Sequence, residues 1–411
     1  MDRVRRNTPI LLLAVGHACV DVYQGAVAAL IPFFVAERDY TYAVASGIVL
    51  AASLLSSVAQ PVFGVLTDRW AMPWLLPVST LLSGVGIALS GLAGSYGLTL
   101  AFVAISGIGV AAYHPESARV ARLAGRGSHT AMSWFSLGGN VGFALAPILV
   151  SLAVGQGSLR WTPVLVLPAL AGVALCVPVL RILGRHRTGT PGKTPAPVAD
   201  DVPAFVKLSL AVIFRSVVFT GLSTFVSLYA QQRMHGSTAA GTAALFLLFL
   251  GGAVGSVLGG SLADRYDRVR VSRWSYLLSV VAVAGVIHTP GPTMFLFVAL
   301  TSVGLYVPFS LQVTLAQDYL PSRIGTAGGV TLGLTVSVGG LVSPLLGRLA
   351  DATSLHTALT PLIAMPALSW LLFLALPEPP DVHKPGPEPE TTTPKRAGDA
   401  PPERAMRPDP R

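Results

Sequence analysis

Apolar stretches of about 20 residues, the length a helix needs to cross the roughly 30 Å hydrocarbon core of a bilayer, succeed one another through almost the whole 411-residue chain. Their extents predict twelve membrane-spanning helices, at 9–34, 43–66, 74–94, 97–118, 128–154, 161–183, 204–229, 239–262, 272–288, 292–317, 323–350 and 355–376. An even number puts both termini on one side. The segment 184–203, GRHRTGTPGKTPAPVADDVP, is rich in Pro, Gly and charge and separates six spans from six. The predicted organisation is a six-helix bundle over 1–183, a linker over 184–203, a second six-helix bundle over 204–376, and a tail over 377–411. That tail is Pro-, Glu- and Arg-rich and nearly free of large apolar residues, the composition of a disordered segment.

Composition agrees with a bilayer as the main solvent. Hydrophobic residues make up 52% of the chain and charged residues only 11%, against about 25% charged in soluble domains. The net charge of +9 does not announce nucleic acid, because the basic residues sit in short loops between apolar spans. Arg3, Arg5 and Arg6 before an apolar run resemble the start of a secretory signal peptide, but the run carries His17 and Asp21 and continues to Phe34, as a first membrane helix does. On one side of the twelve spans lie the N-terminus and loops holding Arg69, Arg122, Arg126, Arg185, Arg187, Arg268, Arg270 and Arg323; the other side holds only Arg38, Arg160, Arg233 and Arg348. The positive-inside rule makes the first side, with both termini, cytoplasmic in a multi-pass protein of the cell membrane.

One charged motif occurs twice. GVLTDRW (Gly64 to Trp70) follows the second span and GSLADRY (Gly260 to Tyr266) the eighth, with Asp68 and Asp264 196 residues apart. A second match, GNVGFALAP ending at Pro147 and VSVGGLVSP ending at Pro344, repeats at 197. Two matches at nearly one offset indicate duplication into two pseudo-symmetric halves. In each copy the Gly permits close helix approach and the Asp accepts from a helix N-terminus or pairs with Arg. Gly64, Asp68, Arg69, Gly260, Asp264 and Arg265 are therefore candidates for a conformational latch, the alternative being an ordinary turn with a basic anchor.

These features resemble the major facilitator superfamily, whose Gly-x-x-x-Asp-Arg signature lies between spans two and three and is often echoed between eight and nine. The resemblance covers 9–376, and the local wording is most similar to the fosmidomycin-resistance efflux group: GHACVDVYQG in span one, AQPVFGVLTDRWAMPWLLP after span two, YHPESARVARLAG after span four and SLGGNVGFALAPILV in span five. It implies the all-α major facilitator fold, alternating access and efflux. Two departures stand out. Ala104 occupies the position of the Arg common among drug–proton antiporters, and Ala146 stands where the antiporter motif of span five has Gly before Pro147.

Ionisable groups within the membrane are costly and are functional candidates by default. Asp21 in span one and Arg215 in span seven lie at similar depth, 194 residues apart, and the resemblance places their spans on a central cavity. They are expected to face each other, as a proton relay or as a static pair; His17, at i−4 from Asp21, either extends the relay or packs. His114 and Glu116 lie around Pro115 near the cytoplasmic end of span four; Glu116 can pair with Arg119 or Arg122 and form a buried gate or a second proton site, the alternative being a solvated helix end, and Gln24, Asn140 and Gln312 are further polar candidates for the cavity. Cys19 and Cys176 are expected to be free thiols, and no Cys/His cluster has metal-ligand spacing, so no structural metal is expected. No Gly-x-x-x-x-Gly-Lys-Ser/Thr loop and no nucleophile–base set is present, which speaks against an ATP-driven pump and against an enzyme. The expectation is a monomeric secondary transporter without cofactor that exchanges protons for a small polar or anionic compound, with a metabolite symporter or a non-transporting sensor as alternatives.

Overall fold

The computed structural model describes residues 2–379 except 126–128, 156, 184–198, 324–326, 329 and 332–334; the side chains of 2–7, 68, 129–130, 182–183 and 335–336 also lie outside the description. The predicted linker, apart from 199–203, and the tail beyond 379 lie outside the described residues. The twelve helices are α1 Asp2–Arg38, α2 Tyr42–Arg69, α3 Leu75–Ser90, α4 Tyr96–Ala124, α5 His129–Val154, α6 Leu167–Leu183, α7 Val202–Arg233, α8 Thr238–Ala263, α9 Arg268–His288, α10 Met294–Tyr319, α11 Thr335–Ala352 and α12 Leu355–Leu374. A 3₁₀ turn, Leu159–Val166, leads into α6, and another, Thr360–Ile363, interrupts α12. Ten of these elements are long and apolar enough to cross a membrane; α3, at 16 residues, is shorter.

Helix starts follow from local chemistry. Thr41, Ser95, Asp201, Ser237 and Ser354 each accept a hydrogen bond from a backbone N–H of the first turn of the helix that follows, satisfying donors that would otherwise be orphaned at the edge of an apolar medium. Glu37, at the end of α1, accepts from Ser158 Oγ (2.6 Å) and from the Leu159 N–H (2.9 Å), which joins α1 to the approach of α6. Tyr23 adds a buried link between the same elements, donating to the Leu165 carbonyl (2.9 Å) and accepting the Ala169 N–H (2.7 Å). Just before α7 the Ser322 hydroxyl and N–H both donate to the half-buried Asp200, which holds that carboxyl below its ordinary value.

The packing repeats as the sequence does. In the first half α1 packs on α5 and α2 on α4; in the second, α7 packs on α11 and α8 on α10. The halves meet where α2 packs on α11 and α8 on α5, two contacts that exchange under the same repeat. Outward-facing Leu152, Val281 and Leu345 are strongly exposed, as lipid-facing positions are.

One end of the interface between the halves is closed. Asp351 of α11 accepts the N–H groups of Tyr42 and Ala43 at the start of α2, and Gln232 of α7 donates to the Tyr42 hydroxyl at 2.8 Å. At the opposite, Arg-rich end, α2 is loosely covered: no residue from 50 to 66 is buried, and a Cβ on Gly64 or Gly260 would meet open space. Among the described residues the halves are therefore tied together at the Asp351 end, and no such tie is made at Gly64 or Gly260.

Candidate functional site

His17 and Asp21 are four residues apart and share one face of α1. That face meets α4 and α5. His17 Nε2 lies 3.2 Å from Asp21 Oδ2, and His114 Nε2, arriving from α4, lies 3.2 Å from Asp21 Oδ1. Asp21 and His17 are each only 7% exposed, while the His114 side chain keeps 25% of its surface. His17 stacks on Phe135 of α5 with ring centroids 4.3 Å apart.

Close approach of α5 depends on its glycines. A Cβ at Gly139 would stand 2.5 Å from Asp21 Oδ2 and 2.6 Å from His17 Cε1, and one at Gly142 would run into the Ala18 carbonyl. The GGNVG stretch is where small residues let two backbones touch beside the carboxylate.

The outer nitrogens of both rings decide the chemistry of the cluster. His17 Nδ1 is 2.9 Å from the Phe135 carbonyl oxygen and His114 Nδ1 is 2.7 Å from that of Val110. A carbonyl only accepts, so Nδ1 carries a proton in each ring. A neutral ring then turns the Nε2 lone pair toward the carboxylate, and two acceptors face each other. The contacts become attractive when positive charge enters between them, as protons on Nε2 or as a bound cation. The geometry of the cluster is thus suited to taking up positive charge.

Beside it, between the halves, lies a cavity of about 280 Å³ lined from α1, α2, α4, α5, α7, α8 and α10. Its wall is aromatic and hydroxylated, with Phe143, Phe219, Tyr306 and Phe309 among the rings and Gln24 exposed on α1. Among the described lining residues, Arg215 alone carries a formal charge. Its guanidinium carbon sits 5.0 Å over the Phe309 ring and its Nε has no hydrogen-bond partner, so a buried donor on a fixed cation remains available to a ligand. Asp21 and His114 border the cavity through residues one turn away, Gln24 and Val110.

The structure departs from one sequence expectation and agrees with another. Asp21 and Arg215 form no ion pair: both carboxylate oxygens face histidines, and Arg215 stays in its own half over Phe309. Equal depth along two helices fixes height and not azimuth. The expected pairing of Glu116 is present: fully buried, it receives Arg119 Nε at 2.9 Å and its second nitrogen as well, while His114, two positions earlier on α4, points to another face.

Gln312, buried on α10, donates to the Tyr276 hydroxyl and leaves its Oε1 without a partner, but it does not line the cavity. Asn140 belongs to neither the cavity wall nor the cluster. In the repeated motif, Arg69, Asp264 and Arg265 are exposed, and among the described residues they make no ion pair or side-chain hydrogen bond with the opposite half. The Asp68 side chain lies outside the described residues. Residues that the sequence did not single out include Gly139, Phe309 and Asp351. Only Gly139 had a signal, its place in the repeated glycine-rich segment of span five.

Comparison with known proteins agrees with this architecture. The family model of the Major Facilitator Superfamily matches residues 13–344. The chain is 31% identical over 376 residues to the fosmidomycin resistance protein of Escherichia coli (strain K12), covering 88% of this chain and 91% of that protein. It is equally 31% identical to the uncharacterized MFS-type transporter YfnC of Bacillus subtilis (strain 168), covering 89% and 92%. In fold it is similar to a bacterial homolog of the human lysosomal transporter Spinster in an inward-facing, unoccupied conformation, with a TM-score of 0.72 at 16% identity over 90% of this chain and 96% of that one. With twelve helices in two related bundles around a central cavity, and these relatives, the chain belongs to the major facilitator superfamily of membrane transporters.

Proposed function

We propose that this transporter exports a small organic anion in exchange for protons, phosphonates being the class suggested by the fosmidomycin resistance relative. The observation that carries the reading is a division of charge. The cavity wall offers an anion one cation, Arg215, with an unpartnered N–H, while the groups that accept positive charge are set apart at Asp21, His17 and His114, one turn behind the wall. Anion and proton then occupy neighbouring sites.

With the Arg-rich end in the cytoplasm, the cavity opens inward and the Asp351 contact is the outer closure. An anion enters from the cytoplasm and meets Arg215. Breaking the Asp351 closure and drawing α2 and α8 onto the opposite half at Gly64 and Gly260 turns the cavity outward, and the two Asp-Arg motifs then latch the cytoplasmic side. Protons taken up outside by the cluster are released inside on the return.

Purified protein in liposomes, given an inwardly directed proton gradient and an internal phosphonate such as fosmidomycin, tests this. Gradient-driven phosphonate efflux that falls in both Arg215→Ala and Asp21→Asn supports the reading. Efflux indifferent to the gradient, or full activity in both variants, overturns it.

A further inference from the structure

We propose that His17, Asp21 and His114 form a binding site for a single divalent transition-metal ion, of the Zn²⁺ or Co²⁺ class. One donor atom from each residue lies within 4.8 Å of the others, on two adjacent helices. Two imidazoles and one carboxylate are the donor set that borderline cations prefer, and three protein ligands with an open fourth position are a common zinc arrangement. Each Nε2 lies 3.2 Å from a different oxygen of Asp21, His17 from Oδ2 and His114 from Oδ1, so one edge is close to the tetrahedral value of about 3.4 Å for metal–ligand bonds of about 2.1 Å, and the other closes when the carboxylate turns to offer one oxygen to both rings.

The outer contacts of the rings are the independent argument. A metal-ligating histidine almost always donates its second N–H to a carbonyl or carboxylate, which fixes the tautomer and aims the free nitrogen. Both rings do this here, to the carbonyls of Phe135 and Val110. Both lone pairs are thereby aimed at Asp21. His17 Nε2 and Asp21 Oδ1 are buried atoms without a hydrogen-bond partner, on residues that are each only 7% exposed. His114, with a quarter of its side chain exposed, supplies the way in.

No sequence spacing reveals such a site, because His114 is 93 residues from Asp21 and joins only in the fold. The inference goes beyond anion export and does not rest on it. A metal here would bind through the same Nε2 lone pairs that protons would take, so the ion is expected to compete with protons for the cluster.

The test is titration of the untagged, chelator-stripped full-length protein in detergent with Co²⁺, read by visible absorption. The expected result is one equivalent of cobalt with intense visible bands typical of a four-coordinate site, with affinity lowered at least about 100-fold in His17→Ala, more than loss of an outer partner of a ligand costs. His114→Cys keeps a ligand at the same position and is expected to bind cobalt with an added thiolate-to-cobalt band in the near ultraviolet. That band arises only from direct coordination, whatever the variant does to stability. Unchanged cobalt affinity in His17→Ala, or a folded His114→Cys protein without the new band, overturns the proposal. Proton-driven efflux measured with a chelator present stands or falls separately.

Discussion

Asp351 on α11 caps the N-terminus of α2 in the other half of the molecule: its Oδ1 accepts the Tyr42 N–H at 2.8 Å and its Oδ2 accepts the Ala43 N–H at 2.9 Å. The free N–H groups and positive dipole end of α2 give this carboxylate a preferred partner. The contact crosses the interface, so its energy enters the balance between cavity openings and not only the stability of one helix.

Loss of that cap is expected to favour the outward-open state. Removing a capping side chain costs about 0.5–2 kcal/mol, which shifts a two-state population roughly two- to thirtyfold. In protein with Cys19 and Cys176 replaced by alanine, a cysteine at Ser56 on the cavity wall reports the change. Asp351→Ala is expected to speed its labelling by an impermeant thiol reagent applied at the Asp351 end, and Asp351→Asn to do so less.

Arg215 is expected to separate binding from folding. Arg215→Ala removes the cation found among the described residues of the cavity wall, and a hydrogen bond to a charged group is worth about 1.5–3 kcal/mol. The KM for an anionic substrate should therefore rise on the order of 10- to 100-fold. Arg215→Lys keeps charge but not the planar stack on Phe309, and should fall between wild type and alanine. Concentration-dependent uptake into inverted vesicles measures both.

The α1–α5 contact is expected to tolerate no added carbon. Gly142→Ala sets a methyl against the Ala18 backbone carbonyl, an overpacking that costs about 1–3 kcal/mol and is read as a lowered Tm in detergent. Gly139→Ala meets the ends of Asp21 and His17 instead. It should lose proton coupling with a smaller change in Tm.

The repeated motif should show the reverse. Gly260→Val has open space around it in this conformation, so inward-open protein should keep its stability within about 0.5 kcal/mol. Transport is expected to fall severalfold, because the outward-open state needs that helix end to close on its partner. Equal turnover in Gly260→Val and wild type would remove the latch from the account.

The fold was legible because the bilayer imposes length and apolarity on each span, and because Asp68 and Asp264 recur at one offset as Pro147 and Pro344 do. Boundaries were less so: α1 begins at Asp2 and α9 at Arg268, since Arg residues at helix ends end the apolar pattern before the hydrogen-bonding does. Asp21 and His17 were legible as a pair from i,i+4 spacing alone. His114 was not, because its approach depends on the packing of α4 against α1. Pairing Asp21 with Arg215 failed for the same kind of reason: sequence gives depth in the membrane, whereas the direction in which a side chain points comes from neighbours such as Phe309.

Proton movement on addition of substrate separates exchange from cotransport and from uncoupled transport. Proteoliposomes loaded with a pH-sensitive dye, with no initial gradient, are given a phosphonate outside. Exchange predicts that phosphonate entry through wild type is accompanied by proton exit, so the lumen becomes more alkaline, and that Asp21→Asn loses this signal. Phosphonate entry with an unchanged lumen, or with acidification from protons entering alongside it, would contradict proton-coupled export.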